Sequence, residues 1–275
     1  MSTRSGTVTV LGLVFPLALA LGQQAPPASP VPAAAAPQVD CAGFITTDKI
    51  SSDTFISDGA NNDLESYLRQ FTLGESVYLY SRRKASFSVG EQFSLVRPAK
   101  ELFRTTRYNG EHWTLHSLGK PFEDVGRVTV TGLTPQGAVA ELSFTCGPVY
   151  PGDIALPYQP RTIPAYVPTA FDRFALANGQ LQGSIVAAKN NAQSLKLGDV
   201  VYLNFGQGKG ARVGQLYRVY YVPPSSLRWA VMFSPPIPRE TVGEVVILSA
   251  LEKSSVAIIV NSTRDLSVGY GVELE

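Results

Sequence analysis

The apolar positions between Gly198 and Tyr220, in GDVVYLNFGQGKGARVGQLYRVY, fall into two short alternating runs. Val201 and Leu203 alternate with residues of the opposite face, and Leu216 to Tyr220 repeats the pattern. A period of two predicts half-buried β-strands. A polar, glycine-bearing loop, Gly206 to Arg212, separates them. Shifting back 124 residues brings up GESVYLYSRRKASFSVGEQFSLV with no gap. Gly74 falls on Gly198, Tyr78 on Tyr202, Leu79 on Leu203, Val89 on Val213 and Gly90 on Gly214. Phe93 falls on Tyr217 and Leu95 on Val219.

The correspondence resumes at a shift of 117. Gly126-Arg127-Val128 falls on Gly243-Glu244-Val245, Val139-Ala140 on Val256-Ala257, and Gly152 on Gly269. The change of shift places a seven-residue length difference in the loops between, where repeated β units tolerate it. The glycines Gly74, Gly90, Gly126 and Gly152, with Gly198, Gly214, Gly243 and Gly269, then stand at equivalent places. Gly90 and Gly214 read as turn positions of positive φ or as close backbone approaches. The expected fold is all-β: two tandem small β-barrel-like units related by duplication.

The rest of the chain arranges itself around the copies. Residues 1–22 read as a signal peptide, with Arg4 before an apolar run from Val8 to Leu21 and a small-residue cleavage site. Residues 23–40, rich in Ala and Pro, read as an extended, disordered tether. Unit one covers 41–158 and contains an insertion at 98–125; a Pro-rich linker follows at 159–170; unit two covers 171–275. Leu64, Tyr67, Leu68 and Phe71 have the spacing of one short amphipathic helix.

Charge narrows the partners. The chain of 275 residues is 44% hydrophobic and 16% charged, with a formal net charge of +1. Arg82-Arg83-Lys84 is its only basic run, and clustered Lys/Arg is what nucleic-acid binding needs. No nucleic-acid partner is expected, and membrane contact is expected only through the signal segment. The only cysteines, Cys41 and Cys146, are expected to form a disulfide in an exported chain.

Candidate chemistry is thin. His112 and His116 are four apart, beside Glu111, a spacing that on a helix puts two metal ligands on one face. Gly110, Trp113 and Thr114 argue instead for a surface loop or hairpin, and no metal or other cofactor is expected. No G-x-S-x-G elbow is present, and Gly206 to Gly210 lacks the spacing of a phosphate-binding loop. The acids Glu111, Glu123 and Asp124 leave a hydrolase site in the insertion as one reading. Exposed aromatics are the remaining binding feature, with Tyr80, Trp113, Phe205, Tyr221 and Trp229 as candidates.

The duplicated G-[DE]-x-V-Y-L and V-G-x-x-[FY]-x-V segments resemble bacterial envelope β repeats. Such repeats are found beside peptidoglycan-binding LysM modules and in the C-terminal region of a periplasmic flagellar-ring assembly protein. DCAGF at 40–44, EDVGR at 123–127, FDRFA at 171–175 and PRETVGE at 238–244 also resemble uncharacterised exported proteins of Acidobacteria-like bacteria. The resemblance implies a fold and an envelope location. It carries no LysM motif and no catalytic residue. The expected function is a non-enzymatic interaction or scaffolding protein of the bacterial cell envelope, in the periplasm, outer-membrane-associated or extracellular. Its partner would be an envelope protein. The alternative is a glycan- or peptidoglycan-binding module that uses exposed aromatics on a cell-wall glycan.

Overall fold

A computed structural model describes residues 29–59, 70–83, 86–103, 106, 108, 110–223 and 238–275. The signal segment, Leu64, Tyr67 and Leu68 of the expected helix, and Trp229 lie outside the described residues; Phe71, expected on that helix, makes an isolated antiparallel bridge with Val149 instead.

In chain order the elements are β1 (Val31–Pro32), α1 (Ala36–Asp40), β2 (Phe44–Thr46), β3 (Thr54–Gly59), β4 (Ser76–Ser81) and β5 (Gln92–Pro98). Next come a 3-10 turn (Lys100–Phe103), α2 (Glu111–Leu118), β6 (Lys120–Thr134), β7 (Gly137–Thr145), β8 (Ile154–Pro157) and β9 (Ala165–Tyr166). The second half holds β10 (Gln182–Ala188), β11 (Val200–Leu203), β12 (Leu216–Tyr221), β13 (Glu240–Ala250), β14 (Ser255–Ser262) and β15 (Gly271–Leu274).

Two closed six-stranded antiparallel barrels result. The first runs β3-β4-β7-β6-β5-β8 and closes on β3, with β2 added at the start of β6. The second runs β10-β11-β14-β13-β12-β15 and closes on β10. Numbered within each copy, the two ring orders are the same.

Register is copied as well. Leu79 pairs with Ile56 and Ala138; its counterpart Leu203 pairs with Ile185 and Ser255. The β-bulge between Leu95 and Val96 recurs between Val219 and Tyr220, and that between Arg127 and Val128 recurs between Glu244 and Val245. The glycine corners follow suit. Gly74 and Gly198 have φ of 84° and 87°, Gly90 and Gly214 87° and 85°, Gly152 and Gly269 94° and 97°. Gly126 and Gly243 serve differently: a Cβ there would lie 2.5 and 2.6 Å from the carbonyl oxygens of Phe144 and Asn261 on the neighbouring strand.

The two cores are filled by different means. Phe205, fully buried, plugs barrel two and packs on Tyr217 at 5.1 Å between ring centroids. Its counterpart in barrel one is Ser81, and the aromatic comes instead from the loop, where Phe87 meets Phe93 edge-on at 5.7 Å. The counterpart of Phe87 is Ala211. One added ring packs on the equivalent Phe93 or Tyr217 in each barrel, from opposite sides of the β4–β5 loop or its twin, as close packing requires.

Three expectations change. The segment expected to be a tether is docked over residues 29–40: β1 pairs with β9, and α1 ends against barrel two, with Val39 buried. Pro37 sits in the first turn of that helix, where its missing N–H costs nothing. The insertion is shorter than 98–125, because β5 runs to Pro98 and β6 starts at Lys120. The residues between them make α2, where a loop or hairpin is expected. Leu115 and Leu118, three apart, share its buried face with Glu111.

Candidate functional site

Strand β11 explains how the barrels meet. In barrel one the outward residues Ser76, Tyr78 and Tyr80 reach solvent, fully or in part, while Val77 and Leu79 fill the interior. In β11 every residue is buried. Val201 and Leu203 face the barrel interior, and Val200 and Tyr202 belong to a second apolar layer on the outside. That layer also takes Val186, Leu216, Val246, Leu248, Val256 and Ile258 from barrel two. It is covered by Val39, Ala42 and Ile45 before barrel one and by Leu102, Leu115 and Leu118 of its insertion. Each such aliphatic side chain contributes about 1.5–3 kcal/mol when fully buried.

Hydrogen bonds fix the register of this seam. The Tyr202 hydroxyl donates to the Ala42 carbonyl at 2.9 Å, and Ser254 Oγ donates to that of Ile45 at 2.5 Å. Burial pushes the Tyr202 phenol up, and the carboxylates of Asp124 and Glu123 push it further, so it stays a donor. The disulfide Cys41–Cys146 ties the same segment to the end of β7, with the Cα atoms 5.5 Å apart. Asp124 accepts from the Gly43 N–H at 2.8 Å and from both terminal nitrogens of Arg161 at 2.6 and 2.8 Å. Arg161, in the Pro-rich linker, also donates to the Val39 carbonyl at 3.0 Å.

Beside the seam lies a cleft of about 480 Å³. Pro98, Ala99 and Leu102 line one part of it, with the Tyr202 ring. Arg97, Lys100, Glu123, Lys189, Asn190 and Asn191 supply the polar walls. Arg97 is fully committed. Its Nε and Nη2 donate to Asp153 at 2.7 and 2.6 Å, Nη1 reaches Glu123 at 3.4 Å, and the guanidinium lies over the Tyr150 ring. Lys189 is different. Burial lowers its ammonium below the ordinary lysine value, partly offset by Asp124 and Glu123, and it has no ion-pair partner among the described residues. Asn190 and Asn191 both stand at φ of 55°, a left-handed conformation that is uncommon outside glycine.

A second concavity lies at one end of barrel one. Tyr80, 39% exposed, borders two hollows of about 580 and 300 Å³ under the hairpin Thr134 to Gly137. Its ring meets Phe55 edge-on, and Arg82 lies over Phe55. At the equivalent place in barrel two, Gly206 and Gly208 press against Leu251 and Glu252.

The candidate aromatics are scattered. Tyr80 is at this opening, and Trp113, 84% exposed, stands on the solvent side of α2. Phe205 is not a surface residue at all but a core plug: two residues past Leu203, it continues the inward alternation of β11 beyond the strand's end. Tyr221 is half-buried, packed on Tyr270 with its ring tilted by 36° and under Arg264. His112 and His116 lie one helical turn apart on α2, and no group of three His, Cys, Asp or Glu side chains converges among the described residues. Sequence reasoning missed Lys189, Asn190 and Asn191; the only trace is an Asn pair just after the β10 run. It also missed Gly43 and Gly119. A Cβ on Gly119 would lie 2.0 Å from the Thr46 carbonyl oxygen.

Neither the protein-family models nor the curated proteins yield a match to this chain.

Proposed function

We propose that the chain is a non-enzymatic, exported interaction or scaffolding protein of the bacterial cell envelope. One observation carries the reading: of the five buried carboxylates among the described residues, Asp124, Asp153 and Glu273 are gripped by arginines, Arg161, Arg97 and Arg239, and Glu244 is held by Asn261 and Thr169. Carboxylates whose oxygens are taken up in two-bond arginine pairs serve structure and leave little to offer a substrate. The disulfide agrees with an oxidising compartment. The resemblance to envelope repeats supports the location. The test is capture from envelope fractions by the intact protein, followed by cross-linking. Recovery of one partner that is lost when cleft residues are changed supports the reading. Recovery of no specific partner overturns it.

The glycan-binding alternative rests on Tyr80 and its two flanking hollows. Aromatic faces stack on sugar rings, and this ring is the candidate aromatic that borders a concavity. Sedimentation with purified cell wall tests it. Retention that falls with Tyr80→Ala and not with Trp113→Ala favours the opening of barrel one; retention indifferent to both removes the alternative.

A further inference from the structure

We infer that the cleft between the barrels binds the C-terminal carboxylate of a short peptide segment, with Lys189 as its anchor and Lys100 as a second cation. The inference deepens the interaction reading by naming the chemistry of the partner.

The argument starts from charge. Arg97 and Asp153 cancel each other in a two-bond pair, so neither is left to meet a ligand. Glu123 opposes one lysine. Among the described residues the remaining cleft charge is close to one positive unit, which suits a single carboxylate better than a phosphate dianion. Lys189 is the side chain there that pays for desolvation without a partner. A half-buried cation of that kind gains more from an incoming oxyanion than a solvated one does, because part of its competing water is already lost.

Shape gives the rest. A volume of about 480 Å³ lies within the range of small-ligand sites. An extended chain advances roughly 3.3–3.6 Å per residue, so two or three residues fit. Pro98, Ala99 and Leu102 offer an apolar wall for the final side chains. Glu123 can accept a peptide N–H, and the exposed Asn190 side-chain amide suits a peptide's carbonyl and amide groups. The left-handed backbone at Asn190 and Asn191 is the local strain commonly found at binding sites.

The experiment uses the full mature protein and a panel of N-acetyl tripeptides that end in small, branched or aromatic residues. Each peptide is paired with its C-terminal amide twin. Binding is read by calorimetry and by the NMR shifts of the Asn190 and Asn191 amides. At least one carboxylate peptide is expected to bind about tenfold more tightly than its amide. Lys189→Met is expected to abolish that preference, while Lys209→Met, on an exposed turn of barrel two, leaves it intact. The same tripeptide displayed at the end of a carrier protein separates a protein tail from a free peptide as the natural source. Equal binding of acid and amide, a preference that survives Lys189→Met, or no binding by any member of the panel overturns the inference. Partner capture that persists alongside any of these results leaves the scaffolding reading standing without the peptide site.

Discussion

Arg97 grips Asp153 at the place in barrel one where, in barrel two, Tyr221 packs on Tyr270. The two pairs occupy equivalent strand and corner positions. An ion pair in one copy has therefore been traded for an aromatic pair in the other, with the same β-bulge beside each.

Removing one member should cost more than exchanging both. Arg97→Met leaves Asp153 buried with its main cationic partner gone, and is expected to destabilise by about 3 kcal/mol. The double exchange Arg97→Tyr with Asp153→Tyr is expected to cost clearly less than the sum of its single changes. Denaturant unfolding of the four variants measures the coupling.

Gly43 has φ of 69°, and a Cβ there would lie 2.7 Å from both the Phe122 carbonyl oxygen and the Tyr202 hydroxyl. Gly43→Ala is expected to destabilise by about 1–3 kcal/mol. In combination with Tyr202→Phe, which deletes one clashing atom, the costs should be less than additive. Thermal melts of the single and double variants check this.

Lys189 makes a pH prediction. Its folded value lies below the unfolded value of 10.5, so between the two the unfolded chain holds more protons. Stability should therefore rise with pH across that window, as the charge penalty in the folded state disappears. Lys189→Met is expected to flatten this rise and to raise the neutral-pH melting temperature by about 2 °C. A melt series at alkaline pH reads both effects.

The disulfide closes a separation of 105 residues. In the chain-entropy account, Cys41→Ser with Cys146→Ser costs about 4–5 kcal/mol. Unfolding with and without reductant should show the same loss in the parent protein and none in the variant.

Much of the fold is legible in the chain because the copies share what faces inward. Leu79 and Leu203, or Val128 and Val245, keep their period of two whatever lies outside. The outside of barrel two is another matter. Whether Val200 and Tyr202 meet water or protein depends on α1, β2 and α2, which no local pattern of β11 records. The same holds for residues 29–40, whose composition matches a free tether and whose burial comes from a surface far along the chain. Phe205 misleads for the opposite reason: aromatic content marks it for a surface, while the alternation it continues just past β11 sends it inward. The cleft is the least legible feature, since Arg97 and Lys189 come from different copies and meet only after both have closed.

The matching ring orders have a consequence for biosynthesis. Every strand of the first ring lies between Thr54 and Pro157, and none of the second ring begins before Gln182. A ribosome thus delivers one whole ring before the look-alike strands that would compete for its hydrogen bonds exist. Refolding from denaturant abolishes that head start and presents twelve interchangeable strands at once. Cross-copy pairing is then the natural trap, a hazard of tandem repeats that emergence from the tunnel in order avoids.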